Sequence, residues 1–482
     1  MPLPDLIEIV PLDKPVHAEI TVPGSKSITN RALVLAALAD GEVTLQGALW
    51  SEDTQIMVEC LQELGFMVNV EADPDEMCNR TITVYGKGGK IPNGGTVENP
   101  LELFVGNAGT AARFLSAMVC LGKGVYRLHG VPRMHERPQA ALFKALRELG
   151  YRVESENVND KLPARIFGGS RRREEADSAQ DVRLLTSAAT KHCTVSIEES
   201  SQFASALLLC AKIGGWQVEV TGENADESPY VAMTFKLIEA FPNRGGNFQV
   251  EPDASSGSYF WGAGWLLAKS ELAEALKAIV RDPDPEVQQK AVLAFPLREK
   301  SRLVVSNWPD SGWQLDADFT IFVQAEKASH PLVISRSHDL ADSIMTSIVL
   351  APFASLPAPL RSVKFTDLGR LRVQECERVV ALRTELTKCG AKVIEEDDTL
   401  TVYPSKLHGA EIETYNDHRM AMCFAILGLK VPGIKIKNPA CVKKTFPNFF
   451  QKLATPPPHG LGATILDAKT GRKLEVSELF AD

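Results

Sequence analysis

The chain has 482 residues, 44% of them apolar and 23% charged, with a formal net charge of −9. That length exceeds the usual ceiling for one domain, and the composition is that of an ordinary soluble globular protein. The acidic balance argues against broad nucleic-acid binding, and no apolar run reaches the ~18 residues that would suggest a membrane span.

The first residues, Met1 to Ile9, lack a basic region followed by an apolar one, so no signal peptide is expected. Leu6 to Val10 and His17 to Val22 read as strands. Six short polar runs then open directly into apolar stretches of helical length. They are Pro23 to Arg31, Gly106 to Arg113, Ser200 to Gln202, Asp253 to Gly257, Asp339 to Asp342 and Tyr415 to Arg419. Ser, Thr, Asn and Asp are the preferred helix N-caps, and the amides of a first helical turn have no backbone partner. Such ends carry partial positive charge and suit phosphate or carboxylate. A single one would be an ordinary capped helix. Six, four of them with a nearby Lys or Arg, point to a site for a multiply anionic small molecule.

A second signal also recurs. Leu61-Gln-Glu-Leu-Gly65, Leu146-Arg-Glu-Leu-Gly150 and Leu386-Thr-Lys-Cys-Gly390 each close an amphipathic helix on glycine, and an alternating strand follows. Phe235 to Phe241 reads as a degenerate fourth copy. This self-similarity implies one supersecondary unit used several times. Residues 155–190 read as a solvated insertion, 269–318 as charged and irregular, and 457–482 as a C-terminal extension after the proline run. Nine scattered cysteines, several within apolar runs (Cys120, Cys210, Cys423) and none in a Cys-x-x-Cys pair, fit reduced thiols and a cytoplasmic location.

The chemistry-bearing residues cluster at the helix openings. Lys26, Ser27 and Arg31 fall at one, and Asn107, Gly109, Thr110 and Arg113 at another, where Thr110 is placed to cap the helix. Arg137 precedes a helix expected to start at Pro138, and Arg372, Arg378, Arg419 and Lys444 add cations. Asp342 and Glu375 are the acidic candidates for proton transfer, and His418 reads as structural. No Ser/His/Asp triad or metal-ligand cluster stands out.

Together the motifs PGSKSITNRALVLAALA, GNAGTAAR, PRMHERPQ, SSQF, DASSGSYF, DSIMT, RVQECER, TYNDHRMAMCF and KKTFPNFF strongly resemble the 5-enolpyruvylshikimate-3-phosphate synthase family. The resemblance runs in order over about residues 17–452. It implies an α/β (α+β) fold of two domains, each three βαββαβ units around a pseudo-threefold axis, an inside-out α/β barrel. Domain 1 is then expected over 1–22 plus 252–456 and domain 2 over 23–251. The implied reaction moves the enolpyruvyl group of phosphoenolpyruvate to the 5-hydroxyl of shikimate 3-phosphate and releases phosphate. No cofactor or metal is implied, and the partners are these two small molecules, without nucleic acid or membrane. A monomer is expected, as is inhibition by glyphosate, a competitor of phosphoenolpyruvate in this family.

By the same resemblance Lys26 contacts both substrates. Shikimate 3-phosphate falls to Ser27, Arg31, Ser200, Ser201, Gln202, Tyr230 and Asp342, with Arg370 and Gln374 at positions that are usually Asn and Lys. Phosphoenolpyruvate falls to Asn107, Gly109, Thr110, Arg137, Gln202, Arg378, Arg419 and Lys444. Catalytic roles fall to Asp342, Glu375, Lys26 and Lys444. Glu227 stands where the family has Ser, with Ser228 beside it, and Phe114 replaces a family proline. Alternative readings are the UDP-N-acetylglucosamine enolpyruvyl transferase, which shares the fold, and a catalytically weak homologue acting as a binding protein.

Overall fold

The computed structural model describes residues 3–169, 191–222, 228–280, 301–320, 332–354 and 362–481. The chain divides into two compact units, Met1–Val22 with Pro252–Asp482, and Pro23–Glu251. Among the described residues each unit holds three sheets.

One pattern generates most of this architecture. In the unit Pro23–Glu251, strand Leu101–Phe104 runs parallel to Gly124–His129, and the helix Gly109–Met118 crosses between them. Helix Ala140–Glu148 follows, then strands Arg152–Ser155 and Ala164–Gly168, and the last strand inserts antiparallel between the second and third. The other unit repeats the pattern with strands Leu332–Ser335, Val363–Thr366, Lys392–Glu396 and Thr399–Tyr403 and helices Ile344–Leu350 and Arg378–Lys388. Parallel strands cannot be joined by a hairpin and require such a crossover.

The helices opened by the six polar runs share one position. Each leads into a strand that belongs to a parallel pair: Lys26–Leu38, Gly109–Met118 and Gln202–Gly214 in one unit, and Ala254–Val280, Ile344–Leu350 and His418–Gly428 in the other. Lys26–Leu38 is buried from Ile28 onward and His418–Gly428 along its whole length. Helices apolar on every side belong inside a protein. By contrast Glu52–Glu63, Ala140–Glu148 and Arg378–Lys388 keep exposed or half-exposed faces. The inner helices therefore pack on one another, and any charged residue in their first turns must find a partner there.

The three glycine-ended helices close alike. Gly65, Gly150 and Gly390 have φ of +88°, +90° and +90°. The amide after each glycine reaches back to the carbonyl of Leu61, Leu146 or Leu386, a closure that requires the left-handed conformation. Phe235 to Phe241 is not a fourth copy. Helix Pro229–Ala240 ends on an extended Phe241, and the strand Gly246–Gln249 beyond it is the parallel edge partner of Glu42–Leu49.

Other expectations also change. Within 155–190, Ala164–Gly168 is an inner strand with Ala164, Ile166 and Gly168 buried, its alternation masked in the sequence by charged neighbours. Within 269–318 lie the end of helix Ala254–Val280 and strand Arg302–Val305, which pairs parallel with His17–Ile20. The segment 457–482 is built into its unit. Its strand Ile465–Asp467 pairs antiparallel with Leu6–Ile9, which pairs in turn with Ile434–Lys437. The first strand of the chain and its last segment thus complete one four-stranded sheet. Glu227 and residues 170–190 lie outside the described residues.

Gly390→Ala should destabilise the protein by ~1–2 kcal/mol, since a Cβ there must adopt a left-handed backbone. It would also lie 3.0 Å from the His408 ring. The urea midpoint of the variant against wild type measures this, with a lower midpoint expected.

Candidate active site

In the unit Pro23–Glu251 the inner helices bring their openings together around two arginines. Arg31, on the second turn of Lys26–Leu38, is 1% exposed. It donates from Nε to Thr234 Oγ1 at 2.8 Å, from Nη1 to the Ser27 carbonyl at 2.9 Å, and from Nη2 to Ser205 Oγ at 3.0 Å and the Tyr230 carbonyl at 3.3 Å. Its guanidinium sits 5.3 Å from the Phe114 ring centroid. Each of these partners is neutral. Burial accordingly pushes the Arg31 pKa down to about 10. A cation so desolvated favours any anion brought to it. Phe114, read in the sequence only as a lost proline, is the face on which this cation rests.

Lys26 pairs with the buried Asp53 at 3.2 Å. The second arginine is Arg113, which the sequence places in the first turns of Gly109–Met118 without a role. Its Nη2 donates to the Pro138 carbonyl at 3.1 Å and its Nη1 to Gln202 Oε1 at 3.4 Å. Gln202 also donates to Thr110 Oγ1 at 3.2 Å. Thr110 is therefore not the cap. Ala108 occupies that position, and the Thr110 hydroxyl is turned to Gln202 instead. Arg137 ends a short helix, Pro132–Glu136, and donates from Nη1 to the Asn107 carbonyl at 3.1 Å. The helix expected at Pro138 begins at Ala140. Ser200 and Ser201 lie at the opening of Gln202–Gly214.

Gly109 is where the arginines converge. A Cβ on it would fall 2.3 Å from Arg113 Nη1 and 2.7 Å from Arg137 Nη2. Around it Asn107 Oδ1, Arg137 Nε and both polar atoms of Gln139 are buried and unbonded. Buried polar atoms are nearly always satisfied, so this cluster is suited to a ligand with several hydrogen-bonding groups. Ser228 Oγ is likewise buried without a partner, one residue before the Pro229-Tyr230 opening.

In the unit containing Pro252–Asp482, two carboxylates are each held between two cations. Asp342 meets Arg336 Nη2 at 2.8 Å and Arg419 Nη2 at 3.2 Å. Glu375 meets Arg378 Nη2 at 2.8 Å and Lys444 Nζ at 3.1 Å. A third carboxylate, Asp417, joins the pairs. It is fully buried, takes Arg378 Nε at 2.7 Å and Nη2 at 3.2 Å, and accepts the Arg419 amide at 2.9 Å. Gln374 accepts from Arg378 Nη1, and Arg419 also reaches Ser255 Oγ at 3.1 Å. Arg370 lies on the turn Gly369–Val373 near Arg336, and both burial and the Arg336 charge lower its pKa. Arg372 is not part of this constellation. It bonds Glu377, Glu395 and Asp398 near the surface. His418 is buried in the first turn of its helix.

The electrostatics divide the acids. Burial raises the Asp342 pKa, but Arg419, Arg336 and Arg378 outweigh it and hold the carboxyl well below its usual range. Asp316 accepts the Ser343 amide at 2.6 Å, and burial with the nearby Asp342 charge pushes its pKa up to about 6. Arg378 is raised despite burial, because Asp417 and Glu375 surround it. Asp417, Arg336 and Asp316 were not predicted as site residues. Asp417 was legible within the Asn-Asp-His-Arg opening, whereas no sequence signal marks Arg336 or Asp316. Among the described residues, no group of His, Cys, Asp and Glu is arranged to hold a metal ion.

The EPSP synthase (3-phosphoshikimate 1-carboxyvinyltransferase) family model matches residues 11–243 and 242–453. The 3-phosphoshikimate 1-carboxyvinyltransferase of Nostoc sp. is 35% identical over 468 residues, covering 93% of this chain and 98% of that protein. The protein of the same name from Opitutus terrae is 34% identical over 488 residues, covering 94% and 98%. A solved EPSP synthase from Acinetobacter baumannii superposes with a TM-score of 0.61 at 20% identity, covering 95% of this chain and 99% of that one. The enolpyruvyl transferase NikO from Streptomyces tendae gives 0.58 at 16% identity, covering 98% and 99%. These two likenesses concern the fold.

Asp316 makes a pH prediction. Its folded pKa of about 6 lies above the ordinary aspartate value of 3.8, so the folded state binds more protons between those values. The ionised group therefore opposes folding above about pH 6, and that cost disappears below about pH 4. Asp316→Asn, which keeps an acceptor for the Ser343 amide, should stabilise the protein at pH 7 by ~2–3 kcal/mol. Denaturant midpoints of wild type and variant should converge as pH falls from 7 to 4.

Proposed function

The chain belongs to the EPSP synthase (3-phosphoshikimate 1-carboxyvinyltransferase) family, and on that premise we propose how its residues divide the work. The enzyme transfers the enolpyruvyl group of phosphoenolpyruvate to the 5-hydroxyl of shikimate 3-phosphate. The hydroxyl oxygen bonds to C2 while C3 takes a proton. The resulting intermediate then loses a proton from C3 and breaks its C2–O bond to phosphate, restoring the double bond. The shikimate hydroxyl proton must be accepted, and the phosphate must leave as an anion. The UDP-N-acetylglucosamine alternative is set aside because the relatives at about 35% identity bear the shikimate enzyme's name.

The observation that carries the assignment of roles is the pair of clamped carboxylates. Asp342, held ionised by Arg336 and Arg419, is an acceptor for the reacting hydroxyl. A carboxyl so far below its usual range is a weak base, so it orients the hydroxyl and stabilises charge as the proton leaves. Exchange of the C3 proton is assigned to Glu375, with Lys26 a further donor, a reading that the Glu375–Lys444 pair supports. Arg378, Arg419 and Lys444, with Asn107, Gly109, Thr110, Arg137 and Gln202, take the phosphate and carboxylate of phosphoenolpyruvate. Guanidinium forks match both groups. Lys26, Ser27, Arg31, Ser200, Ser201, Gln202, Tyr230, Arg370 and Gln374 take shikimate 3-phosphate. The neutral surroundings of Arg31 support this, since a carboxylate would supply its missing counter-charge. The nine free cysteines, eight of them buried, support a reducing cytoplasmic setting.

The test is a coupled phosphate-release assay. Wild type should release phosphate only when both substrates are present. Asp342→Ala should lower kcat by ~10²–10⁴-fold while the KM for phosphoenolpyruvate changes far less, because the carboxylate acts mainly in the transition state. A folded variant with unchanged kcat would remove Asp342 from the chemistry.

A further inference from the structure

Arg336, beside Asp342, and Arg370, near Arg336, carry more positive charge than their surroundings answer. Arg336 is 6% exposed and spends Nη2 on Asp342 at 2.8 Å. Its Nε is buried without a partner. Asp342 is itself shared with Arg419 at 3.2 Å, so it does not neutralise Arg336 alone. Arg370, half-buried nearby, makes no hydrogen bond or ion pair with the described residues, and the charge of Arg336 disfavours its own. The neighbouring Gln374 does not relieve this excess, because its carbonyl is taken by Arg378. Arg336 thus keeps an unbonded guanidinium nitrogen sealed from water, and Arg370 lies close enough to feel its charge. They suit a dianion with several acceptor oxygens better than a single carboxylate.

We infer that Arg336, together with Arg370, binds the phosphate of the acceptor substrate and is the residue that makes this unit select a phosphorylated hydroxy acid over its unphosphorylated form. The inference rests on the proposed reaction and extends it to a residue that carried no sequence signal. Substrate chemistry brings the two sites together. In shikimate 3-phosphate the phosphate-bearing carbon and the reacting hydroxyl's carbon are separated by one ring carbon. An arginine bonded to the carboxylate that receives the hydroxyl is therefore within reach of the phosphate. Arg336 thereby acts as a specificity-determining residue, and its effect is confined to ligands that carry the phosphate.

The measurement is the affinity of wild type, Arg336→Gln and Arg336→Lys for shikimate 3-phosphate and for shikimate, by titration calorimetry. Losing one charge-assisted contact should weaken shikimate 3-phosphate about tenfold to a hundredfold in Arg336→Gln. Shikimate should change less than about twofold, and Arg336→Lys should recover part of the loss. A merely structural role predicts equal weakening of both ligands, and that outcome overturns the inference, as does an unchanged affinity for shikimate 3-phosphate in the folded Arg336→Gln protein. Arg370→Gln is the second variant and should show the same phosphate-confined loss; a loss equal for both ligands there contradicts the pairing. Failure of the underlying reaction is seen separately, as wild type that releases no phosphate from the two substrates together.

Discussion

One buried carboxylate organises the cations of the unit containing Pro252–Asp482. Asp417 stands at the head of the inner helix His418–Gly428, where its side chain accepts the Arg419 amide. The same carboxylate grips Arg378 through both oxygens, and Arg378 passes the constraint to Glu375 and thence to Lys444. Two cations, Arg378 and Lys444, and the carboxylate of Glu375 are thus set by Asp417, while the Arg419 guanidinium is held by Asp342 and Ser255. The desolvation of so many charges is expensive, and their mutual pairing is what makes the arrangement tolerable. An anionic substrate that enters meets groups already oriented and does not have to order flexible side chains, which lowers the cost of binding.

The inner helices explain why such a network exists at all. Helices buried on every side leave their first turns facing other buried first turns, and polar residues in those turns must satisfy one another or a ligand. In the unit Pro23–Glu251 the balance is left incomplete. Arg31 is surrounded by hydroxyls, carbonyls and two aromatic rings, and Asn107, Arg137 and Gln139 keep unbonded polar atoms. In the other unit the carboxylates close most of the balance and leave the excess at Arg336 and Arg370. Incomplete satisfaction in a well-packed interior is the expected state of a site awaiting charged ligands.

The sequence made much of this legible because it repeats. Six helix openings and three glycine closures are local signals, and local signals survive without knowledge of the fold. Gly65, Gly150 and Gly390 could be read because only glycine takes their φ cheaply. What was missed depends on distant partners. Strand Ala164–Gly168 is short and surrounded by charge, so its alternation became visible only once Gly124–His129 and Arg152–Ser155 flanked it. The segment after Pro458 looked like an appendage because its partner strand, Leu6–Ile9, is at the other end of the chain. Arg336 sits in an unremarkable Ile-Ser-Arg-Ser stretch, and its importance comes wholly from Asp342 and Arg370. Thr110 looked like a cap by residue type, yet its hydroxyl is used by Gln202 across a helix contact.

Asp417 holds Arg378 and the opening of His418–Gly428 ready for an anion. Asp417→Asn keeps the size of the side chain and an acceptor for the Arg419 amide while removing the charge that fixes Arg378. Calorimetric titration of this variant with phosphoenolpyruvate alone, so that no turnover takes place, tests this directly. A loss of affinity of about tenfold or more is expected in a protein whose circular dichroism matches wild type. A folded Asp417→Asn protein that binds phosphoenolpyruvate as tightly as wild type would contradict it.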